Sequence, residues 1–239
     1  MGPRRIEGTR ALVVGATGGM GSAVAVALAE QGVAVALMGR NEESLARVAS
    51  RCETAGAAAY PVVCDIVRVE TIEAAVHTAI ESLGGLNYLI NCAGISASAR
   101  LHETDLADSE AILNTNLRAQ MYLARHASPE INKHPGGAII KIGSVSHPYS
   151  GVNTYLAANR GGEGLAEALF EDVREFGTRV CTIRPGWVNT PLVQGSEGVD
   201  PELMIQPEDI AHTVLYVLSM PETACPTEIT ILPQRSPYR

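Results

Sequence analysis

Short apolar runs and helical stretches take turns along almost the whole chain, at a spacing of about thirty residues. The apolar runs are 10–14, 33–38, 58–64, 86–90, 138–142, 179–183 and 228–232. They are short and nearly continuous in hydrophobic character, which suits strands buried on both faces. Helical stretches separate them: one opens after Val14 and ends at Gly32, and others cover 42–54, 69–83, 107–131, 154–176 and 207–219. Asn41 precedes the second of these and can cap it. Such alternation predicts βαβ units, hence an α/β fold with a parallel sheet and helices on both faces. The polar, irregular stretch 191–206 reads as a flap. With no repeat, linker or second pattern, residues 1–239 are expected to form a single domain, and 25.2 kDa is enough for a substantial core.

Charge and cysteine usage narrow the function classes. The net charge is −8 and no basic stripe occurs, which argues against nucleic acid as a partner. No apolar run reaches membrane-spanning length and no secretory pattern opens the chain, so a cytoplasmic protein without a membrane partner is expected. The five cysteines (Cys52, Cys64, Cys92, Cys181, Cys225) are scattered and form no CxxC pair, as in a cytosolic protein with free thiols. The histidines show no HxH or HExxH spacing, and no metal site is expected. Lys133 and Lys141 are the only lysines.

Between the first strand and its helix lies Val14-Gly15-Ala16-Thr17-Gly18-Gly19-Met20-Gly21. Missing side chains let backbone N–H groups approach a pyrophosphate, and a helix N-terminus favours its charge. Gly15, Thr17, Gly19, Met20 and Gly21 are therefore candidate cofactor contacts. At the end of the second strand, a carboxylate would grip the ribose 2′-OH of NAD. Gly39 and Arg40 stand there instead, offering space and a planar cation suited to a phosphate, so NADP(H) is the expected cofactor. Asp65, closing the third strand, can accept from an adenine amino group or cap the following helix. The stretch 142–165 supplies Ser144 and, eleven residues on, Tyr155 at a helix start. A Ser and a Tyr in one cleft can donate a hydrogen bond and a proton to a substrate carbonyl.

Gly15-x-x-x-Gly19-x-Gly21, Asp65, Asn91-Cys92-Ala93-Gly94, Asn116, Ser144, Tyr155 and Pro185-Gly186 occur in one ordered register. In this the chain resembles the short-chain dehydrogenase/reductase family over nearly its whole length. The resemblance implies a single Rossmann-type domain, a doubly wound seven-stranded parallel sheet with helices on both faces, and a homodimer or homotetramer joined through the two long central helices. It implies an oxidoreductase acting on a small-molecule carbonyl compound. Asp65 and Asn91 would flank the adenosine half of the cofactor, and Pro185, Gly186 and Thr190 would sit against its nicotinamide, with Ala93, Gly94, Tyr155, Asn159 and Val188 as further cofactor contacts. Ser144 would orient the substrate, Tyr155 exchange its proton, and Asn116 hold a relay water. Trp187, Leu192, Val193 and Met204 would line the substrate pocket or serve as packing.

Two departures stand out. The Ser144–Tyr155 interval is shorter than usual in the family, which tightens the wall carrying His147, Pro148 and Tyr149. Four residues after Tyr155, where the family carries a Lys that holds the nicotinamide ribose and favours the phenolate, stands Asn159. Asn159 can hydrogen-bond hydroxyls but brings no charge. Arg160 does not replace the Lys, because at about 100° per residue it points roughly 140° away from Tyr155. Lys141 on a regular strand faces opposite to Ser144. Without a cation, reduction, which needs a protonated phenol, is expected to run at neutral pH, while oxidation waits for high pH. The readings are an NADP(H)-dependent carbonyl reductase, a non-redox enzyme on the same scaffold (a cyclase or lyase), or a non-catalytic cofactor-binding subunit.

Overall fold

The computed structural model describes residues 4–97, 99–145, 151–193 and 198–238. Seven strands form one sheet: β1 (Arg10–Val14), β2 (Ala34–Gly39), β3 (Ala59–Val63), β4 (Tyr88–Asn91), β5 (Ala138–Ile142), β6 (Arg179–Pro185) and β7 (Glu228–Ile231). Their order is β3-β2-β1-β4-β5-β6-β7 and every pair is parallel. This is the doubly wound, Rossmann-type sheet, folded as a single domain. Its strand order reverses between β1 and β4, the switch point at which such sheets open a crevice beyond their carboxyl ends.

The period of two along β1 divides the core. Ala11 and Val13 face a cluster with Val24 and Leu28 of α1 (Gly19–Glu30), Leu45 of α2 (Glu42–Thr54) and Val214 of α7 (Pro207–Ser219). Leu12 and Val14 face the opposite cluster, with Val76 of α3 (Ile72–Leu83), Leu123 of α5 (Ala119–Ile131) and Ala166 of α6 (Asn153–Val173). Each fully buried Leu or Val contributes about 1.5–3 kcal/mol, so the central strands anchor both layers.

Most element limits follow the sequence pattern. Asn41 Oδ1 accepts from Ser44 N at 2.8 Å and starts α2 at Glu42. The helical stretch at 69 begins as a 3₁₀ turn, Val69–Thr71, before α3, which Gly84 stops in the left-handed region at φ 69°. The stretch 154–176 is α6 followed by a 3₁₀ turn, Arg174–Phe176. The stretch 107–131 contains a feature that hydrophobic spacing does not show. It is α4 (Leu106–Leu113), a π turn over Asn114–Arg118, then α5. Such π turns inside helices are frequent at functional sites.

Within 191–206, residues 194–197 lie outside the described residues. The remainder holds a turn at 191–193 and a 3₁₀ turn, Pro201–Leu203. Its base is pinned twice, by a parallel bridge from Val188 to Ile205 and an antiparallel bridge from Val199 to Tyr238. Among the described residues, no helix is long and apolar enough to cross a membrane.

Candidate active site

Parallel strands deliver their carboxyl ends to one edge, so residues far apart in the chain meet there. The turn after β1 is set by glycine. Gly15 adopts φ +73°, and a Cβ on it would lie 2.9 Å from the Ala93 backbone. A Cβ on Gly21 would come within 2.2 Å of Gly15 O. The first turn of α1 thus folds directly onto the loop before it, and its N–H groups face the crevice mouth. Gly19 packs against Thr190, whose Cγ2 would be 2.8 Å from an added Cβ. Thr17 is exposed, and its side chain flanks Gly39 at the end of β2. Arg40 follows, exposed to solvent.

Asp65 is half-buried, and its Oδ1 accepts from Val67 N at 3.3 Å, so the carboxylate caps the local turn. Asn91 ends β4. Its Oδ1 accepts from Ala93 N at 3.1 Å, while Nδ2, fully buried, has no hydrogen-bond partner among the described residues. Gly94 sits beside Asn116, 3.6 Å from Oδ1 for an added Cβ.

Ser144 is clamped between two backbone bonds that stitch the end of β5 to β6. Gly143 N donates to Ile183 O at 2.8 Å and Val145 N to Pro185 O at 2.9 Å. The clamp places Ser144 next to Pro185 and Gly186, the latter donating to Ile231 O. Tyr155 lies half-buried in the first turn of α6. One turn on, Asn159 is buried to 4% exposure and its Nδ2 donates to Tyr155 O at 2.9 Å. An amide so oriented keeps its oxygen for an incoming donor. His147, Pro148 and Tyr149 lie outside the described residues.

Asn116 sits in the π turn. Its side chain forms a two-point clamp on Ile95, donating from Nδ2 to the carbonyl at 2.8 Å and accepting at Oδ1 from the amide at 2.9 Å. That fixes the loop after β4 and leaves the Asn116 main-chain carbonyl facing the sheet. Lys141 Nζ donates to this carbonyl at 2.9 Å.

The Lys141 contact is what sequence reasoning missed. As strand parity requires, Lys141 leaves β5 on the face of Ile139, opposite to Ile140 and Ile142, and that is the α5 and α6 side. Gly162 makes room for it there: a Cβ on Gly162 would be 3.2 Å from Lys141 Cε and 2.7 Å from Gln120 Oε1. The available signal was a lysine in the otherwise apolar strand Ala-Ile-Ile-Lys-Ile. Burial pushes its ammonium down to about 8, partly offset by the charge of Glu163. Arg160, as its helical angle requires, turns away; its Nη1 pairs with Glu163 Oε2 at 2.8 Å. Glu163 also meets Arg184 at 3.2 Å, and Arg184 continues to Glu228 at 2.7 Å.

Trp187 Nε1 donates to Tyr238 OH at 2.7 Å with the rings edge to face, so the C-terminal tail holds this indole. Met204 is buried and Leu192 exposed. Burial pushes the Cys52 thiol up to about 11 and Cys181 up to about 12, which leaves both neutral and unreactive near pH 7. Among the described residues, no group of three or more His, Cys, Asp or Glu converges to hold a metal ion.

The short chain dehydrogenase family matches residues 9–198. The chain belongs to that family. An uncharacterized oxidoreductase of Staphylococcus saprophyticus is 31% identical over 226 residues, 93% of this chain and 96% of the relative. A dehydrogenase/reductase from Sinorhizobium meliloti 1021 superposes with a TM-score of 0.87 at 34% identity, covering 95% of this chain and 94% of the other. A short chain dehydrogenase from Burkholderia cenocepacia J2315, solved in complex with NADP, gives 0.88 at 28% identity over 95% and 98%. Within this family the chain is an oxidoreductase. Its glycine turn, helix N-terminus and orphaned Asn91 amide fit a dinucleotide along the crevice.

Proposed function

We propose that this short-chain dehydrogenase reduces a small carbonyl compound with NADP(H), and does so without a cation at position 159. The observation that carries the reading is the Ser144 clamp. Two backbone bonds fix the main chain at Ser144 beyond the end of β5, on the edge that α6 enters with Tyr155 in its first turn. When bound, the cofactor supplies the hydride. Ser144 holds the carbonyl oxygen with a hydrogen bond, and Tyr155 gives it a proton as the oxygen gains charge. Asn159 offers its amide oxygen to a cofactor ribose hydroxyl. Gly15, Thr17, Gly19, Met20 and Gly21 seat the pyrophosphate, with Asp65, Asn91, Ala93 and Gly94 along the adenosine. Pro185, Gly186, Val188 and Thr190 back the nicotinamide.

Arg40 favours NADP(H), because its guanidinium is exposed at the end of β2 next to Gly39, with no ion-pair partner among the described residues, and suits a 2′-phosphate. The same phosphate-bearing dinucleotide occupies the Burkholderia relative. Assembly as a homodimer or homotetramer would use the outer faces of α4–α5 and α6, where Leu113 and Met121 are exposed. Light scattering at micromolar concentration should give a multiple of 25.2 kDa.

The functional test is NADPH consumption against a panel of aldehydes, ketones and quinones. Tyr155→Phe should lower kcat by about 10²–10⁴-fold, the usual worth of a positioned proton donor. A protein that binds NADPH but consumes it with no member of the panel would point to a non-redox enzyme or a binding subunit.

A further inference from the structure

Lys141 lies mid-strand between Ile140 and Ile142, is only 5% exposed, and hydrogen-bonds to Asn116 O. Among the described residues, no carboxylate lies within ion-pair distance of it. A buried ammonium without a paired anion is costly, and a methionine would fill the same space without that cost. The surroundings are nevertheless arranged for it. Gly162 has no side chain where the lysine stem passes, and Gln120 Nε2 donates to Gly162 O at 3.3 Å. Asn91 Nδ2, Gln120 Oε1 and Thr182 Oγ1 are buried with no hydrogen-bond partner among the described residues. Lys141, Asn91 and Gln120 share the lining of a small cavity of ≈ 10 Å³. Packing alone does not call for this polar cluster inside a hydrophobic sheet.

Its position ties it to the site. Tyr155, Asn159 and Gly162 stand at i, i+4 and i+7 on α6, one face of a helix. The ammonium therefore lies against that face one turn below Asn159, on the carbonyl of the residue whose side chain holds the loop after β4.

We propose that Lys141 is a positioning residue of this active site, supplying from β5, through the Asn116 carbonyl, the positive charge that α6 lacks at Asn159. The proposal rests on the oxidoreductase reading above. In a low-dielectric interior a charge acts over several ångströms, so the ammonium adds positive potential along the α6 face that carries Tyr155 and Asn159 without touching the phenol. The charged group reaching Lys141 is Glu163 from α6, whose carboxylate is taken up by Arg160 and Arg184. The neighbours offered by β4, β6 and α5 are Asn91, Thr182 and Gln120, none of which titrates, and Cys181 of β6, which lines the same cavity and whose thiol burial pushes up to about 12, so that it stays neutral across this range. Burial holds Lys141 near 8, so the charge is present at pH 7 and is lost as the pH rises past that value.

The test uses the chain's shortage of lysine. With lysine labelled at Cε and Nζ, NMR shows two residues only, and Lys133, largely exposed, serves as the reference. Lys141 should titrate well below Lys133, and saturating NADP⁺ should move its midpoint by about half a pH unit or more while leaving Lys133 in place. A Lys141 midpoint blind to the cofactor would overturn the proposal. In turnover, Lys141→Met should cut alcohol oxidation at pH 7 at least tenfold, with the KM for cofactor changed less than threefold. Adding Asn159→Lys to that variant should restore most of the loss. A variant that loses thermal stability but keeps the unmutated pH profile, or a folded double variant with no recovery, would make Lys141 purely structural. Should Lys141→Met not fold, Gly162→Ala crowds the lysine stem instead. It should shift the Lys141 midpoint and the pH profile together, and a shift in the midpoint alone would again refute the idea. If no substrate is turned over, the oxidoreductase reading fails, while the cofactor-linked titration still decides whether Lys141 senses the site.

Discussion

On the β1–β2 side of the crevice, the site is made of backbone and of side chains that are missing. On the β4–β6 side it is made of buried polar groups brought from five elements. Gly15, Gly19, Gly21 and Gly39 shape the first side within one βαβ unit, and each is explained by what a Cβ would strike. The second side joins Asn91, Asn116, Gln120, Lys141, Asn159 and Gly162 from β4, the π turn, α5, β5 and α6. Steric requirements are local and leave a signature in adjacent residues. Electrostatic requirements are met across space, by whichever element can reach, so the same charge can be delivered from a different place. Asn159 and Lys141 show the difference within one cluster.

The contrast is sharpest where the second side bears an energetic cost. Lys141 in the folded protein sits near 8, against 10.5 for an ordinary lysine. Below pH 8 both states carry the proton and the folded state bears the burial penalty. Between those two values the folded state has lost the proton that the unfolded chain keeps. Stability therefore rises with pH across that window, by about 3 kcal/mol at 1.36 kcal/mol per pH unit. Urea midpoints of the unmutated protein and Lys141→Met from pH 7 to 10.5 should diverge, the natural protein gaining on the variant. Groups common to both cancel in the difference. Parallel curves would mean that Lys141 is not buried as an ammonium.

The first side should fail sterically and without pH dependence. In Gly21→Ala the new methyl meets a backbone oxygen at 2.2 Å, which no rotamer change relieves. The expected cost is about 2–3 kcal/mol, the ordinary range for overpacking. It should appear both as a lower Tm and as a loss of dinucleotide affinity on calorimetric titration. An unchanged affinity would show that the turn does not carry the pyrophosphate.

These two cases also explain how much the sequence disclosed. The alternation of apolar runs gave the parallel sheet and nearly every element limit, because strands buried on both faces and capped helices are written in neighbouring residues. Asn41 before α2 and Gly84 after α3 are of this kind. The π turn at Asn114–Arg118 was not legible, since one inserted residue per turn scarcely disturbs a hydrophobic stripe. The partner of Lys141 was not legible either. Strand parity gives the face a side chain leaves from, while a lysine stem reaches beyond that face to a helix twenty-five residues earlier in the chain. Asp65 left two readings open, and the structure shows it accepting from Val67 in the local turn, a bond that leaves its second oxygen for another donor.

Arg40 tests whether the first side also uses charge where sterics end. Its guanidinium is exposed, so a 2′-phosphate contact there would be solvent-screened and modest. Arg40→Ala should lower NADP(H) affinity by about 1.5–2 kcal/mol, the lower part of the range for a charge-assisted bond, and leave NAD(H) almost unchanged. Equal affinities for the two cofactors in the unmutated protein would remove Arg40 from the cofactor site.

The smallest expected effect lies where the second side meets the chain terminus. Trp187 donates to Tyr238 OH, Asp200 N donates to Pro237 O at 2.8 Å, and Val199 bridges Tyr238, so the tail closes a short strap over the base of the 191–206 segment. Tyr238→Phe keeps the edge-to-face ring contact and removes only the hydroxyl. The lost bond is exposed, and water can replace the phenol as acceptor, so the cost should stay near 0.5 kcal/mol. If the strap positions Trp187 against substrate, KM for the carbonyl compound should rise about two- to threefold with kcat and cofactor affinity unchanged. If Trp187 is packing alone, the variant should show the small stability loss and no kinetic change. Steady-state kinetics beside a urea titration separates the two outcomes, and thereby shows whether the second side of the crevice extends to the tail.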